Sequence, residues 1–373
     1  MLRAYDMYEC WKRLPKKTRQ EFTNHIIRPM RFERDAASGV EKSVLSALKK
    51  DIKAIIDSCY LVNKLHDTEL ELHDFLTAGI SLRGNIKLYI DEENDDFDRW
   101  RELYLILDFM LTREDDNPIL RIYTHLNNMC YICTSIDSAY YWCEKSDYAS
   151  TPPENYVCLV YTLRKIPAEK TYVNINGKFR PVFRLGIAGH DGVDWASIPV
   201  DTTNAGDEKP RELPVFVQTH ALNRLLERLA PLEKPEIQVL LYEAFEEPRL
   251  SSGPGESHFI AFRYNNAKIG YLTYEILDTM VVVTTFLLLT QNGTFEGTML
   301  NREYGLSKYA KQHFEIDRLH TFINTDVYQD EELKALFARC GCESLFHVWD
   351  RKTLETISFD ANYAKHLKKI FFR

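Results

Sequence analysis

The sequence predicts an α+β protein, with a helical bundle over residues 1–150 followed by a mixed domain over residues 151–373 whose sheet is mainly antiparallel and flanked by helices. Three observations predict it. In the first part, apolar residues recur at three-and-four spacing, the signature of one helix face. A breaker-rich stretch at 146–155 (SDYASTPPEN) carries Pro152 and Pro153, where no helix continues. Beyond it the rhythm changes to strand-like runs separated by turn pairs.

The first apolar stripe is Leu45, Leu48, Ile52, Ile55, Cys59 and Val62. The second is Phe97, Trp100, Tyr104, Leu107 and Leu111. The third is Ile119, Ile122, Leu126, Met129, Cys133, Ile136, Tyr140 and Cys143. Three such stripes need partners to cover them, and a bundle is the simplest arrangement that does so. Past the expected boundary at 146–155, residues 156–163 read as a strand. Residues 171–175 and 179–187 flank Asn176-Gly177, a strong two-residue hairpin signal. A polar loop spans 201–213. A short strand follows at 215–218, then helices at 220–229 and 234–245. Strands are expected at 257–264, 269–277 and 280–289, with Asn265-Asn266 making the first turn. The tail, 300–373, returns to helices with one further strand at 345–349.

Hydrophobic residues make up 45% of the chain and charged residues 27%, enough apolar material for real cores. The net charge of −8 argues against a chain devoted to nucleic acid, which usually carries a basic surplus. A local surplus exists between Trp11 and Arg34, where Lys12, Arg13, Lys16, Lys17, Arg19, Arg28, Arg31 and Arg34 face only Glu21 and Glu33. It reads as the solvated side of helices. The first ten residues are too polar for a secretory leader. The longest apolar run, Met280 to Leu289, is broken by Thr284 and Thr285. It falls short of the roughly 18–20 residues a membrane helix needs. These points predict a cytoplasmic protein with reduced cysteines and no membrane partner.

Several motifs suggest chemistry and are read as structural. Cys130 and Cys133 form a CxxC near His125 and Cys143, but two of these cysteines fall in the third apolar stripe and no second CxxC exists. Cys340 and Cys342 flank Gly341, which reads as a helix-ending glycine. The acidic run Asp91 to Asp98 echoes a calcium loop, yet Asp96 stands where the sharp turn demands glycine. No metal is expected. Phosphate-cradling glycine loops and nucleophile elbows are also missing from the sequence, so no cofactor is expected.

The segment that attracts most interest is 219–229 (THALNRLLERL). On a helix, Leu222, Leu225, Leu226 and Leu229 form one apolar face, while His220, Asn223, Arg224 and Glu227 form the other with Arg228 at its edge. Thr219 is placed to cap the start. Histidine exchanges protons near neutral pH, and arginine holds phosphate or carboxylate. A plain amphipathic helix accounts for the same pattern.

The order His220, Arg224, Glu227, Arg228, then a second helix, then three consecutive strands (HFIAFRY, KIGYLTYEIL, MVVVTTFLLL) resembles the BrnT and RelE type of ribonuclease toxins over about residues 215–290. That resemblance implies a small α+β toxin-like core there. It implies His220, Arg224 and Glu227 as catalytic residues and Arg228, Arg263 and Arg302 as nucleic-acid-binding residues, with Tyr304 as a further neighbour. Those toxins are small and mostly basic, whereas this stretch carries Glu243, Glu246, Glu247, Glu256, Glu275 and Asp278.

Two functional readings follow. The first is a non-catalytic interaction or regulatory protein with another protein as its partner; it expects replacement of His220 and Arg224 by Ala to cost little. The second is a toxin-like ribonuclease or other nucleic-acid-acting enzyme, with RNA as partner; it needs His220, Arg224, Arg263 and Arg302 in one open cleft.

Overall fold

The three apolar stripes have different fates in the computed structural model, which describes residues 2–3, 5–24, 30–63, 68–112, 118–151, 156–200, 211–248, 250–252, 258–348 and 363–371. The first stripe gives a helix, α3 (Lys42–Ser58), only through Ile55; Cys59 lies past its end and Val62 in a strand. The second gives α6 (Phe97–Thr112), and the third starts as α7 (Pro118–Cys133) and breaks. The chain forms two compact units. Met1–Cys133, Tyr141–Ile166 and Ala188–Gly192 make the first; Thr134–Tyr140, Pro167–Ile187 and Val193–Arg373 make the second.

In the first unit the elements run α1 Tyr8–Arg13, α2 Lys16–Asn24, β1 Met30–Arg34, α3 Lys42–Ser58, and the hairpin β2 Tyr60–Asn63 with β3 Thr68–Glu71. A short α4, Leu72–Asp74, leads through a π-helical turn, Phe75–Gly79, into α5, Ile80–Tyr89. Then come α6 Phe97–Thr112 and α7 Pro118–Cys133, followed by β4 Ala139–Thr151 and β5 Tyr156–Pro167, of which Ala139, Tyr140 and Pro167 are counted with the second unit. Trp100 and Leu107 of α6 and Ile122 and Leu126 of α7 are buried as the spacing requires, whereas Cys133 at the end of the α7 stripe is exposed. Phe22 of α2 packs edge-on against Trp11 of α1, ring centroids 5.5 Å apart.

The all-helical reading of residues 1–150 is corrected. β1, β5 and β4 form a three-stranded sheet in the order β1-β5-β4, with β1 parallel to β5 and Met30 opposite Leu159. Helix α7 stops at Cys133, and a turn at Ser135–Ser138 sends the chain into β4. Ile136, Tyr140 and Cys143 are buried as the stripe predicted, but from a turn and a strand. Tyr140, Tyr141 and Trp142 are strand-favouring aromatics in succession, and they override the helical spacing. The expected boundary at 146–155 falls inside the first unit. Residues 146–151 belong to β4, while Pro152 and Pro153 lie outside the described residues.

In the second unit, β6 Lys170–Ile175 and β7 Lys178–Arg184 form the expected hairpin. Both turn residues are left-handed, Asn176 at φ 51° and Gly177 at φ 76°, which matches the twist of the two strands. Short strands follow at β8 Gly186–Ala188, β9 Val193–Trp195 and β10 Ser197–Val200. Most of the expected polar loop lies outside the described residues; its last part, from Arg211, opens β11, Arg211–Gln218. Helices α8 Thr219–Arg228 and α9 Lys234–Glu246 come next, then β12 Leu250–Ser252, β13 His258–Tyr264, β14 Ala267–Leu277 and β15 Met280–Leu288. Asn265 and Asn266 are left-handed too and make the β13–β14 turn.

Strands β8 and β9 pair with each other, and the other eight form one sheet in the order β12-β13-β14-β15-β11-β7-β6, with β10 beside β11. All neighbours are antiparallel except β11 and β15, which run parallel with Val217 opposite Val283. Helices α8 and α9 pack on it, α8 mainly over β15 and α9 over β13. Leu225 of α8, Leu229 just past its end, Leu241 of α9, and Val215, Val217, Val281 and Val283 of the strands meet in one core. The tail adds α10 Phe295–Tyr304, α11 Lys308–His313, α12 His320–Ile323, α13 Glu331–Arg339 and α14 Tyr363–Phe371. The strand expected at 345–349 is instead a 3-10 turn, Glu343–Phe346, with Trp349 outside the described residues. Gly341, left-handed at φ 80°, ends α13 and turns Leu345 and Phe346 into the core, leaving no extended stretch. Among the described residues no helix is long and apolar enough to cross a membrane.

Candidate functional site

Helix α8 is fixed by its apolar face. Ala221, Leu222, Leu225 and Leu229 are buried on the sheet, whereas Leu226, expected among them, is exposed at the edge of the stripe. Thr219 does not cap the helix. It is the first helical residue, and its hydroxyl donates to the carbonyl of Pro181 on β7, 3.5 Å away. That contact sets the start of α8 beside the middle of β7.

His220, Arg224 and Arg228 sit four residues apart and so form one line down α8. The line runs from solvent into the protein: His220 is exposed, Arg224 half-buried and Arg228 only 7% exposed. Arg224 pairs with Glu227 one turn on. Arg228 donates through Nη1 to the backbone carbonyl of Phe286 in β15, and its own carbonyl accepts from the amide of Leu319 at 2.7 Å. Burial pushes the Arg228 guanidinium down to about 10, and Arg224 adds to the shift.

His220 is held below its ordinary value of 6.5, first by partial burial and then by the charges of Arg224, Arg228 and Arg180, with Glu227 opposing. Arg180 comes from β7, and the sequence alone gave no reason to group it with α8. The pairing of Gln218 with Val182 puts Arg180 just beyond the strand end from which α8 starts. Three arginines therefore act on one exposed imidazole. Among the described residues no hydrogen bond orients that ring.

At the buried end of the line lies Asp317, whose carboxyl is raised by burial while Arg228 draws it the other way. The Gln291 amide donates to Asp317 Oδ2 at 3.5 Å. His220, Arg224, Glu227 and Arg228 are thus brought together.

Arg263 and Arg302 have other neighbours. Arg263 donates to the carbonyl of Asn266 at 2.7 Å and lines a cleft of about 200 Å³ with Glu243 and Glu247 of α9. Two carboxylates in so small a space disfavour a phosphate there. Arg302 is exposed on α10 and pairs with Glu303 at 3.1 Å. Tyr304, expected beside it, packs edge-on against Phe371, centroids 5.3 Å apart.

The remaining motifs take structural places. Cys130 and Cys143 are buried and Cys133 is exposed. Burial pushes the Cys143 thiol up to about 12, the opposite of what a metal-binding or reactive thiolate needs. Cys340 and Cys342 are buried beside Gly341. In the acidic run, Asp96 accepts two hydrogen bonds from Arg13, at 2.9 and 2.7 Å, and its carbonyl accepts from the Trp100 amide at the start of α6. Among the described residues no three metal-ligating side chains converge.

Set against known proteins, the chain matches no family model, no curated protein and no solved structure.

Proposed function

We propose that the protein is a non-catalytic interaction protein that takes a phosphate-bearing, anionic partner on the polar side of α8, a reading that differs from the first sequence expectation in its partner and in making Arg224 matter for binding. The observation that carries this reading is the line of His220 and Arg224 on the outer side of α8 beside the exposed Arg180 of β7, with the buried Arg228 adding its charge and Glu227 as the one opposing charge that acts on the ring. A bound anion accepts hydrogen bonds from the accessible Arg180 and Arg224 and offsets the like charge that Arg228 adds from beneath. A non-catalytic role fits the imidazole best. A general base works when a third group orients it, and among the described residues His220 lacks one.

The test is binding of a labelled 20-nucleotide single-stranded RNA to the full chain, read by fluorescence anisotropy. The expected result is salt-sensitive binding that weakens roughly tenfold or more in the Arg180→Ala, Arg224→Ala double variant, with the RNA intact afterwards. Absence of binding, or binding indifferent to the double variant, overturns the reading.

One observation favours a second reading, the toxin-like ribonuclease. An imidazole kept below 6.5 is unprotonated at neutral pH and free to accept a proton. Under that reading the RNA is cleaved, and His220→Ala abolishes cleavage without abolishing binding.

A further inference from the structure

The first unit carries a pocket of about 580 Å³ that the α8 site does not involve. Small-molecule sites span roughly 300–1,000 Å³ and are lined mainly by apolar and aromatic groups with a few fixed polar ones. This pocket has that make-up. Tyr8 and Trp11 of α1, Phe22 of α2, and Ala78 and Leu82 line it. Ser81 and Asn85, 7% and 3% exposed, line it as well, and the Asn85 side chain is anchored by donating to the carbonyl of Phe22 at 3.2 Å.

A second, independent feature falls at the same place. The helical run leading into α5 widens into a π turn at Phe75–Gly79, and Thr77 and Ala78 of that turn line the pocket. A π turn inside a helix is less favourable than regular α geometry, and such turns concentrate at functional sites. Here it reshapes the pocket wall.

Among the described lining residues the one charged side chain is Arg3. Of the cations on α1, Lys12 is held by Glu9 at 2.7 Å and Arg13 by Asp96 at 2.7 Å. Arg3, which also lines the pocket, lies with its guanidinium 4.8 Å over the Tyr8 ring, and among the described residues no carboxylate pairs with it.

We propose that this pocket binds a free amphipathic carboxylate, its apolar body against Trp11, Phe22 and Leu82 and its carboxylate on the guanidinium of Arg3. Apolar burial supplies the affinity, and the paired guanidinium donors supply the preference for a planar anion.

Isothermal titration of the full chain with decanoate, kept below its micelle concentration, tests this. One saturable site per chain is expected. Decanol and decyltrimethylammonium, with the same tail and a neutral or positive head, should bind roughly tenfold more weakly or worse. Arg3→Ala should lower decanoate affinity roughly tenfold and leave decanol unchanged. Ala78→Phe, at an exposed position on the pocket lining, should fill the pocket and weaken both ligands, with an unchanged urea midpoint showing that the fold is kept. The proposal is overturned if decanoate gives no saturable binding, if the three heads bind alike with Arg3→Ala silent, or if the protein binds only vesicles of anionic phospholipid.

Discussion

Arg228, at the last turn of α8, donates a hydrogen bond to the backbone carbonyl of Phe286, a residue fifty-eight positions later in β15. The guanidinium is buried, and among the described residues its Nε has no hydrogen-bond partner. It is therefore both a clamp between helix and sheet and the inner end of the basic line that starts at His220.

Arg228→Ala removes the clamp and leaves a void under α8. The expected loss is about 2–4 kcal/mol in urea-induced unfolding. Arg228→Met, which keeps much of the side-chain volume, should cost clearly less. Equal losses for the two variants would mean that the hydrogen bond, and not the packing, dominates.

The low proton affinity of His220 gives the α8 site a pH dependence with a defined sign. Free, the ring resists protonation because of burial and its three arginine neighbours. A bound phosphate favours the protonated ring. RNA affinity should therefore rise as pH falls from 7.5 to 5.5, by roughly threefold to tenfold, and His220→Ala should flatten the profile. Anisotropy titrations at fixed ionic strength across that range measure it.

Gly297 sits where β15 turns into α10, against the carbonyl oxygen of Gln291. A Cβ added there would stand 1.8 Å from that oxygen. Its amide also caps the helix by donating to Thr294 Oγ1 at 2.9 Å, so the backbone cannot withdraw without breaking the cap. Gly297→Ala should cost about 3 kcal/mol or more, read as a lowered urea midpoint. A variant within about 0.5 kcal/mol of the parent would show that this turn yields easily.

Lys311 is 1% exposed, donating to Asn292 Oδ1 at 2.7 Å and to the Gly297 carbonyl at 2.6 Å. Burial pushes it down to about 8 from 10.5. The unfolded chain thus binds more protons than the folded one between those two values, so stability should rise as pH rises through that window. The penalty present below about pH 8 is on the order of 2–4 kcal/mol. Lys311→Met should remove the extra rise, which unfolding at pH 7.5 and 9.5 for parent and variant would reveal as a difference of differences.

How far the sequence reached depends on which force decided each element. The Asn176-Gly177 and Asn265-Asn266 turns were legible because left-handed backbone is a local demand that those residues meet cheaply. The α6 stripe from Phe97 to Leu111 was legible because Trp100 and Leu107 face a core on one helix side. Residues 30–34 were not. Met30–Arg34 is a strand of charged residues, and what makes it a strand is its pairing with β5, more than a hundred positions on. The stretch after Cys133 misled for a related reason: Tyr140 and Cys143 keep helical spacing while being buried from strand β4. At the α8 site, the line His220, Arg224, Arg228 follows from helix geometry alone. Arg180 joins it only through the ladder between β7 and β11, which no local pattern announces.

The parallel pairing of β11 with β15 carries a consequence for biosynthesis. Every other neighbour in the large sheet is antiparallel, but β11 waits for Met280–Leu288 before its second side is covered. Until the ribosome has released that segment, Val215, Phe216 and Val217 present an unsatisfied apolar border to other nascent chains. Chains stopped short of residue 280 should consequently collect as inclusion bodies, whatever the merits of the segments already made.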